Sequence, residues 1–191
     1  NVSKKPPITM KFYLSSYKIG NKANILKQFF IFNKKIGIIT NAVDYKTKQE
    51  IQESANRNKE NLEALGLEPI VIDLKQYFHK QTELKQLINT LGGLWVRGGN
   101  TFILRQAMKL SGLDKILQEM HKDKTNQHSI NFVYAGYSAG ICILAPSLKG
   151  LHNVDNPNIM PYKEAKETIW EGLNIIDFLI LPHYQSDHPE S

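Results

Sequence analysis

Gly136-Tyr137-Ser138-Ala139-Gly140 sets a serine between two glycines, with an apolar run before it and Ile141-Cys142-Ile143-Leu144-Ala145 after it. That spacing fits a nucleophile elbow, a strained turn from strand to helix that presents the serine Oγ. The flanking glycines answer a steric demand, because a Cβ at either position would collide with the neighbouring strand or helix. The turn also puts Oγ at a helix N-terminus, where the positive end of the macrodipole stabilises developing negative charge. The alternative reading is a plain strand-to-helix turn with a capping serine.

Two further segments carry chemistry. Gly98-Gly99-Asn100-Thr101 follows an apolar run and opens a helical pattern. Its glycines allow close approach of backbone to a ligand, and such a turn can supply an oxyanion-hole donor; otherwise it is a strand-to-helix turn with Asn100 or Thr101 as N-cap. It lacks the third glycine of a dinucleotide fingerprint and the Gly-Lys-Ser/Thr of a P-loop. His183, in Leu181-Pro182-His183-Tyr184, follows a late apolar run, where its imidazole can take the Ser138 proton as general base and return it to a leaving amine. The other histidines are weaker candidates: His79, His121 and His128 read as solvent-facing, and His152 and His188 as loop residues that can reach substrate.

Short apolar runs alternating with amphipathic helices must position these segments. That alternation predicts an α/β fold, a three-layer sandwich around a mostly parallel central sheet. Strands are expected at 11–15, 36–40, 69–74, 94–97, 130–135 and, as a late buried strand, 174–181. Helices are expected at 22–32, from Thr47 to Leu65, from Thr82 through Leu91, at 101–110 and at 113–121, with the polar run 122–129 as a loop. Sites then belong on the edge formed by the strand C-termini.

Composition narrows the function classes. At 191 residues, with 41% hydrophobic and 22% charged residues, the chain suits one folded domain. We expect residues 1–9 to be a leader or expression remnant, and 10–191 a single α/β hydrolase domain short of its last C-terminal elements. No apolar run approaches the roughly 18 residues of a membrane span, so no membrane partner is expected. The net charge of +6 is spread along the chain without a basic stripe interleaved with aromatics, which argues against nucleic acid. One cysteine, Cys142, and no secretory signal pattern point to a cytoplasmic setting. Oligomeric state is open between monomer and homodimer.

The three ordered motifs, with Phe102 and Leu104 after the first and Pro146-Ser147 after the second, resemble the dipeptidase E (aspartyl dipeptidase) family of serine peptidases, whose relatives include cyanophycinases. The resemblance implies a fold like class I glutamine amidotransferases, with serine where those enzymes carry cysteine. It also implies a metal-independent, cofactor-free cytoplasmic exopeptidase that releases N-terminal aspartate from dipeptides or short peptides. Carried over by position, Ser138 is nucleophile and His183 general base, while the N–H groups of Gly99 and Ala139 serve the oxyanion, with Gly98 and Asn100 completing that turn. The family's acid lies between serine and histidine, making Asp155 the nearest candidate, with Glu190 in reserve and a residue beyond 191 as a third option. Where the family commonly has a third glycine, this chain has Arg97, whose cation either binds a substrate carboxylate or points into solvent. An esterase, a β-aspartyl hydrolase and a catalytically silent binding protein of the same fold are the competing readings.

Overall fold

The computed structural model describes residues 10–184. Five strands form one all-parallel sheet: β1 (Lys11–Ser15), β2 (Lys35–Ile39), β3 (Glu68–Ile72), β4 (Gly93–Val96) and β5 (Val133–Tyr137), in the order β1-β5-β4-β2-β3. Parallel neighbours need crossovers, and helices supply them. They are α1 (Ala23–Phe29), α2 (Lys48–Glu63), α3 (Gln81–Ile88), α4 (Thr101–Ser111), α5 (Leu113–Lys122), α6 (Gln127–Asn131) and α7 (Ala139–Cys142).

Strand alternation divides the core into two layers. Tyr13, Ile36, Ile38, Trp95, Val133 and Ala135 face one way, onto Leu26, Phe30 and Leu62 of the α1 and α2 side. Ile39, Leu94, Val96 and Tyr134 face the other, onto α3, α4, α5 and α7. Successive side chains of a strand point to opposite faces, so both faces of β2, β4 and β5 must be apolar. The result is the expected three-layer α/β sandwich. Local signals behave as the residues dictate. Thr47 caps α2 in a reciprocal capping box, its Oγ1 accepting from Glu50 N while Glu50 Oε2 accepts from Thr47 N.

Three expectations are corrected. The segment 122–129 is not all loop: Asn126 Oδ1 accepts from the N–H groups of His128 and Ser129 and starts α6, so β5 begins at Val133 and not at Ile130. His121 and His128 are half-buried, the first edge-on to Phe12 and the second with Nε2 2.9 Å from Leu91 O. The run 174–181 forms no strand. Its start instead lies along the exit of α7: Leu173 N donates to Ile143 O, Asn174 N to Ala145 O and Ile175 N to Leu144 O. Leu173 and Ile175 are buried there, whereas Phe178, Leu179 and Leu181 are largely exposed. This run, apolar but for Asn174 and Asp177, satisfies the backbone of its start on the carbonyls that the exit of α7 offers, and β5 is already paired on both sides.

The stretch from Ile143 to Tyr184 therefore crosses the molecule mostly without regular structure, and side chains of the helices hold it. Arg105 Nε donates to Glu171 O, Gln106 Nε2 to Ile159 O and Gln118 Nε2 to Leu173 O. Tyr162 Oη donates to Asp44 Oδ2 at 2.6 Å, tying the same stretch to the end of β2. These bonds replace a strand ladder along the stretch that carries both Asp155 and His183. Among the described residues no helix is long and apolar enough to cross a membrane.

Candidate active site

The sheet order sets the ends of β1, β5 and β4 side by side. Ser138 follows β5 directly and adopts φ 51°, ψ −121°, a region costing a non-glycine residue about 1–3 kcal/mol. The crowding that enforces this turn comes from β4. A Cβ on Gly136 would stand 2.6 Å from Val96 O, and one on Gly140 would be closer still. Tyr134 Oη donates to Gly140 O at 2.6 Å from within the core, and burial holds that phenol far above its ordinary pKa, so it stays a donor. The elbow is thus fixed by the backbone of β4 and by a tyrosine of β5 itself.

His183 arrives from the crossing stretch. It is 3% exposed, its N–H donates to Ser16 Oγ just past β1, and its ring lies edge-on to Tyr17. Its Nε2 is 3.2 Å from Ser138 Oγ. With the ring proton on Nδ1, Nε2 accepts from the serine hydroxyl, the orientation a general base needs.

The β4 turn lies against the same serine. A Cβ on Gly98 would meet Ser138 Cβ at 2.8 Å, and one on Gly99, where φ is 143°, would stand 2.5 Å from Ala42 O. Among the described residues the N–H groups of Gly99 and Ala139 have no hydrogen-bond acceptor, the second because it opens α7. Asn100, grouped with this turn on sequence, has its groups engaged elsewhere. Its N–H donates to Ala42 O, its Oδ1 caps α4 through Phe102 N and Ile103 N, and its Nδ2 donates to Asn156 O. Asn100 therefore shapes the turn through these bonds while also lining the polar cavity.

Asp155 is brought to the N-terminus of α4, where its Oδ2 accepts from Thr101 N at 2.8 Å and Thr101 Oγ1 at 2.7 Å. A helix N-terminus favours the ionised carboxylate. Two cavities meet at Ser138, Asp155 and His183. One, about 350 Å³, is walled largely by Ala145, Val154, Leu179 and Leu181. The other, about 360 Å³, is lined by polar groups including Tyr45, Arg97 and the Gly98-Gly99 turn.

A model of Peptidase family S51 matches residues 20–191. The chain belongs to peptidase family S51. This is the family to which the three motifs pointed. An uncharacterized peptidase of Listeria innocua serovar 6a is 32% identical over 141 residues, 73% of this chain and 61% of that protein. Peptidase E of Nostoc sp. is 30% identical over 151 residues, 79% of this chain and 52% of that one. A Listeria monocytogenes EGD-e crystal structure, of a protein provisionally assigned as peptidase E, superposes with TM-score 0.71 at 24% identity. It covers 94% of this chain and 81% of that one, and shows the shared fold. The chain spans about three-fifths of the length of the first curated relatives it matches.

Several site neighbours were missed on sequence. Ser16 and Tyr134 each bond a candidate residue or its turn, but a serine after a strand and a strand tyrosine carry no signal of their own; Thr101, read only as a possible N-cap, instead holds Asp155 while Asn100 caps the helix. Arg105 and Gln106 did carry one, as polar residues on an otherwise apolar helix. Glu190 and His188 lie outside the described residues, as do residues 1–9, for which a leader or expression remnant is expected.

Proposed function

We propose that this chain hydrolyses peptide bonds by acyl transfer to Ser138. The observation that carries the reading is the pairing of Ser138 Oγ with His183 Nε2 at 3.2 Å on a turn of positive φ. His183 takes the hydroxyl proton as Oγ attacks the carbonyl carbon, and the oxygen that becomes negative faces the N–H groups of Gly99 and Ala139. Collapse breaks the C–N bond, and His183 returns the proton to the leaving amine. Water then repeats the sequence on the acyl-enzyme, giving the acid and restoring Ser138. Asp155 is the acid we assign to the relay, because it lines the two cavities that Ser138 and His183 share and its carboxylate is oriented by Thr101.

Dipeptides or short peptides with N-terminal aspartate are the proposed substrates, supported by the family and by the modest size of the two cavities. A cytoplasmic setting belongs to the same reading, on the family and on the single, buried cysteine, Cys142. The test is a panel of Asp-initiated dipeptides, β-linked dipeptides and esters given to wild type and Ser138→Ala. Cleavage of the first group by wild type alone supports the proposal. Cleavage confined to β-linked substrates or esters reassigns the substrate, and unchanged turnover in Ser138→Ala rejects the nucleophile.

A further inference from the structure

Arg97 directly follows β4, its N–H donating to Ile39 O, and stands two residues after Trp95, so both side chains lie on the α2 side of the sheet. There α2 meets them with two residues one turn apart. Trp95 Nε1 donates to Asn58 Oδ1, and Arg97 Nη1 donates to Ser54 Oγ at 2.7 Å. Asn58 Nδ2 donates to Ser54 O, tightening that turn. The guanidinium is thereby held from behind, while the residue lines the polar cavity beside Ser138.

Its charge has no internal answer. Arg97 Nε is buried without a hydrogen-bond partner, and among the described residues no carboxylate lies within 4.0 Å of the guanidinium. The buried arginine of this fold is treated differently: Arg105 is paired with Asp114 at 3.0 Å. Leaving a sheltered cation unpaired is costly, and a fixed guanidinium fork is shaped to take a carboxylate through two parallel N–H groups. The acid lining this cavity, Asp155, has its Oδ2 on Thr101.

We propose that Arg97, anchored by Ser54, is the receptor for a carboxylate of the substrate in the polar cavity next to Ser138. The inference rests on the peptidase reading for the identity of the ligand and not for its charge. It predicts that one acidic group of the peptide is recognised as an anion, either the side chain of the first residue or the C-terminus.

Equilibrium calorimetry in the Ser138→Ala background separates those sources with Asp-Leu, its isostere Asn-Leu, and Asp-Leu amide. The expected result is a preference of about tenfold for the free acid in one of the two comparisons. That preference falls to within about twofold in Arg97→Met and is partly kept in Arg97→Lys, since charge survives and the fork does not. Ser54→Ala, which keeps the charge and loosens its aim, gives an intermediate value and serves should Arg97→Met fail to fold. Equal binding of acids and amides in the Ser138→Ala protein, or a preference untouched by both Arg97→Met and Ser54→Ala, overturns the assignment. The two proposals fail separately: acid preference without turnover in the Ser138 enzyme rejects the peptidase reading alone, and turnover without acid preference rejects Arg97 alone.

Discussion

Gly140 lies against the carbonyl oxygen of Val96, so close that no Cβ fits between them. Gly140 is in α7, and a helical glycine replaced by alanine ordinarily gains about 1 kcal/mol. Here the sign reverses, because backbone of the adjoining strand would have to move. Gly140→Ala is expected to lower stability by about 2 kcal/mol or more, read from the urea midpoint, and to reduce turnover with it. A stabilised variant would mean that the elbow yields freely.

The positive φ of Ser138 leads to a second expectation. Ser138→Ala and Ser138→Gly both lack the hydroxyl, but only glycine relieves the backbone. Strain of about 1–3 kcal/mol against a glycine entropy cost of about 0.5–1 kcal/mol leaves Ser138→Gly the more stable by about 1 kcal/mol. Thermal melts of the two inactive variants check this, and equal melting temperatures would limit the strain at the turn to about the glycine cost of 0.5–1 kcal/mol.

Thr101 and Asp155 separate orientation from charge. Asp155→Asn is expected to lower kcat on the order of 10³–10⁴-fold, as loss of a relay acid does. Thr101→Val removes the hydroxyl donor but leaves the backbone N–H bond, so about a tenfold loss is expected, mainly in kcat. Near-wild-type turnover in Asp155→Asn would move the relay acid elsewhere in the chain.

Much of this arrangement was legible in the sequence where the cause is local. The capping box at Thr47 and Glu50, the glycines around Ser138 and the start of α4 at Asn100 each depend on residues a few positions apart. The stretch from Ile143 to Tyr184 was not legible, because what holds it comes from distant side chains such as Arg105, Gln106 and Gln118. A largely apolar eight-residue run at 174–181 reads as a buried strand on pattern alone. Which of its residues are covered depends on the exit of α7. His183 was reachable from sequence through the motif around it, although the strand expected to deliver it does not exist.

Arg105 gives that stretch its firmest tie. It is buried with Asp114 and also donates to Glu171 O. Arg105→Ala leaves a buried carboxylate unpaired, and a loss of about 3–5 kcal/mol is expected. Denaturant unfolding measures it, and a loss below about 1 kcal/mol would show the stretch to be held by its other contacts.

His121 sets an acid limb to stability. Burial first, and then the Lys124 charge, lower its pKa below the ordinary 6.5, and its Nδ1 is buried without a partner. The unfolded chain therefore binds this proton more readily than the folded one, so stability is lost as pH falls below about 6.5 and is unaffected above it. His121→Leu should flatten the urea midpoint between pH 6.5 and 5. A slope equal to wild type would remove His121 as its source.

The most direct measurement for the central claim is labelling of the folded protein by a fluorophosphonate, with the modified peptide located by mass spectrometry. A nucleophile paired with His183 Nε2 at 3.2 Å predicts one label on Ser138, reduced at least about a hundredfold in rate by His183→Ala. Failure of well-folded protein to label at Ser138, or labelling indifferent to His183→Ala, would contradict it.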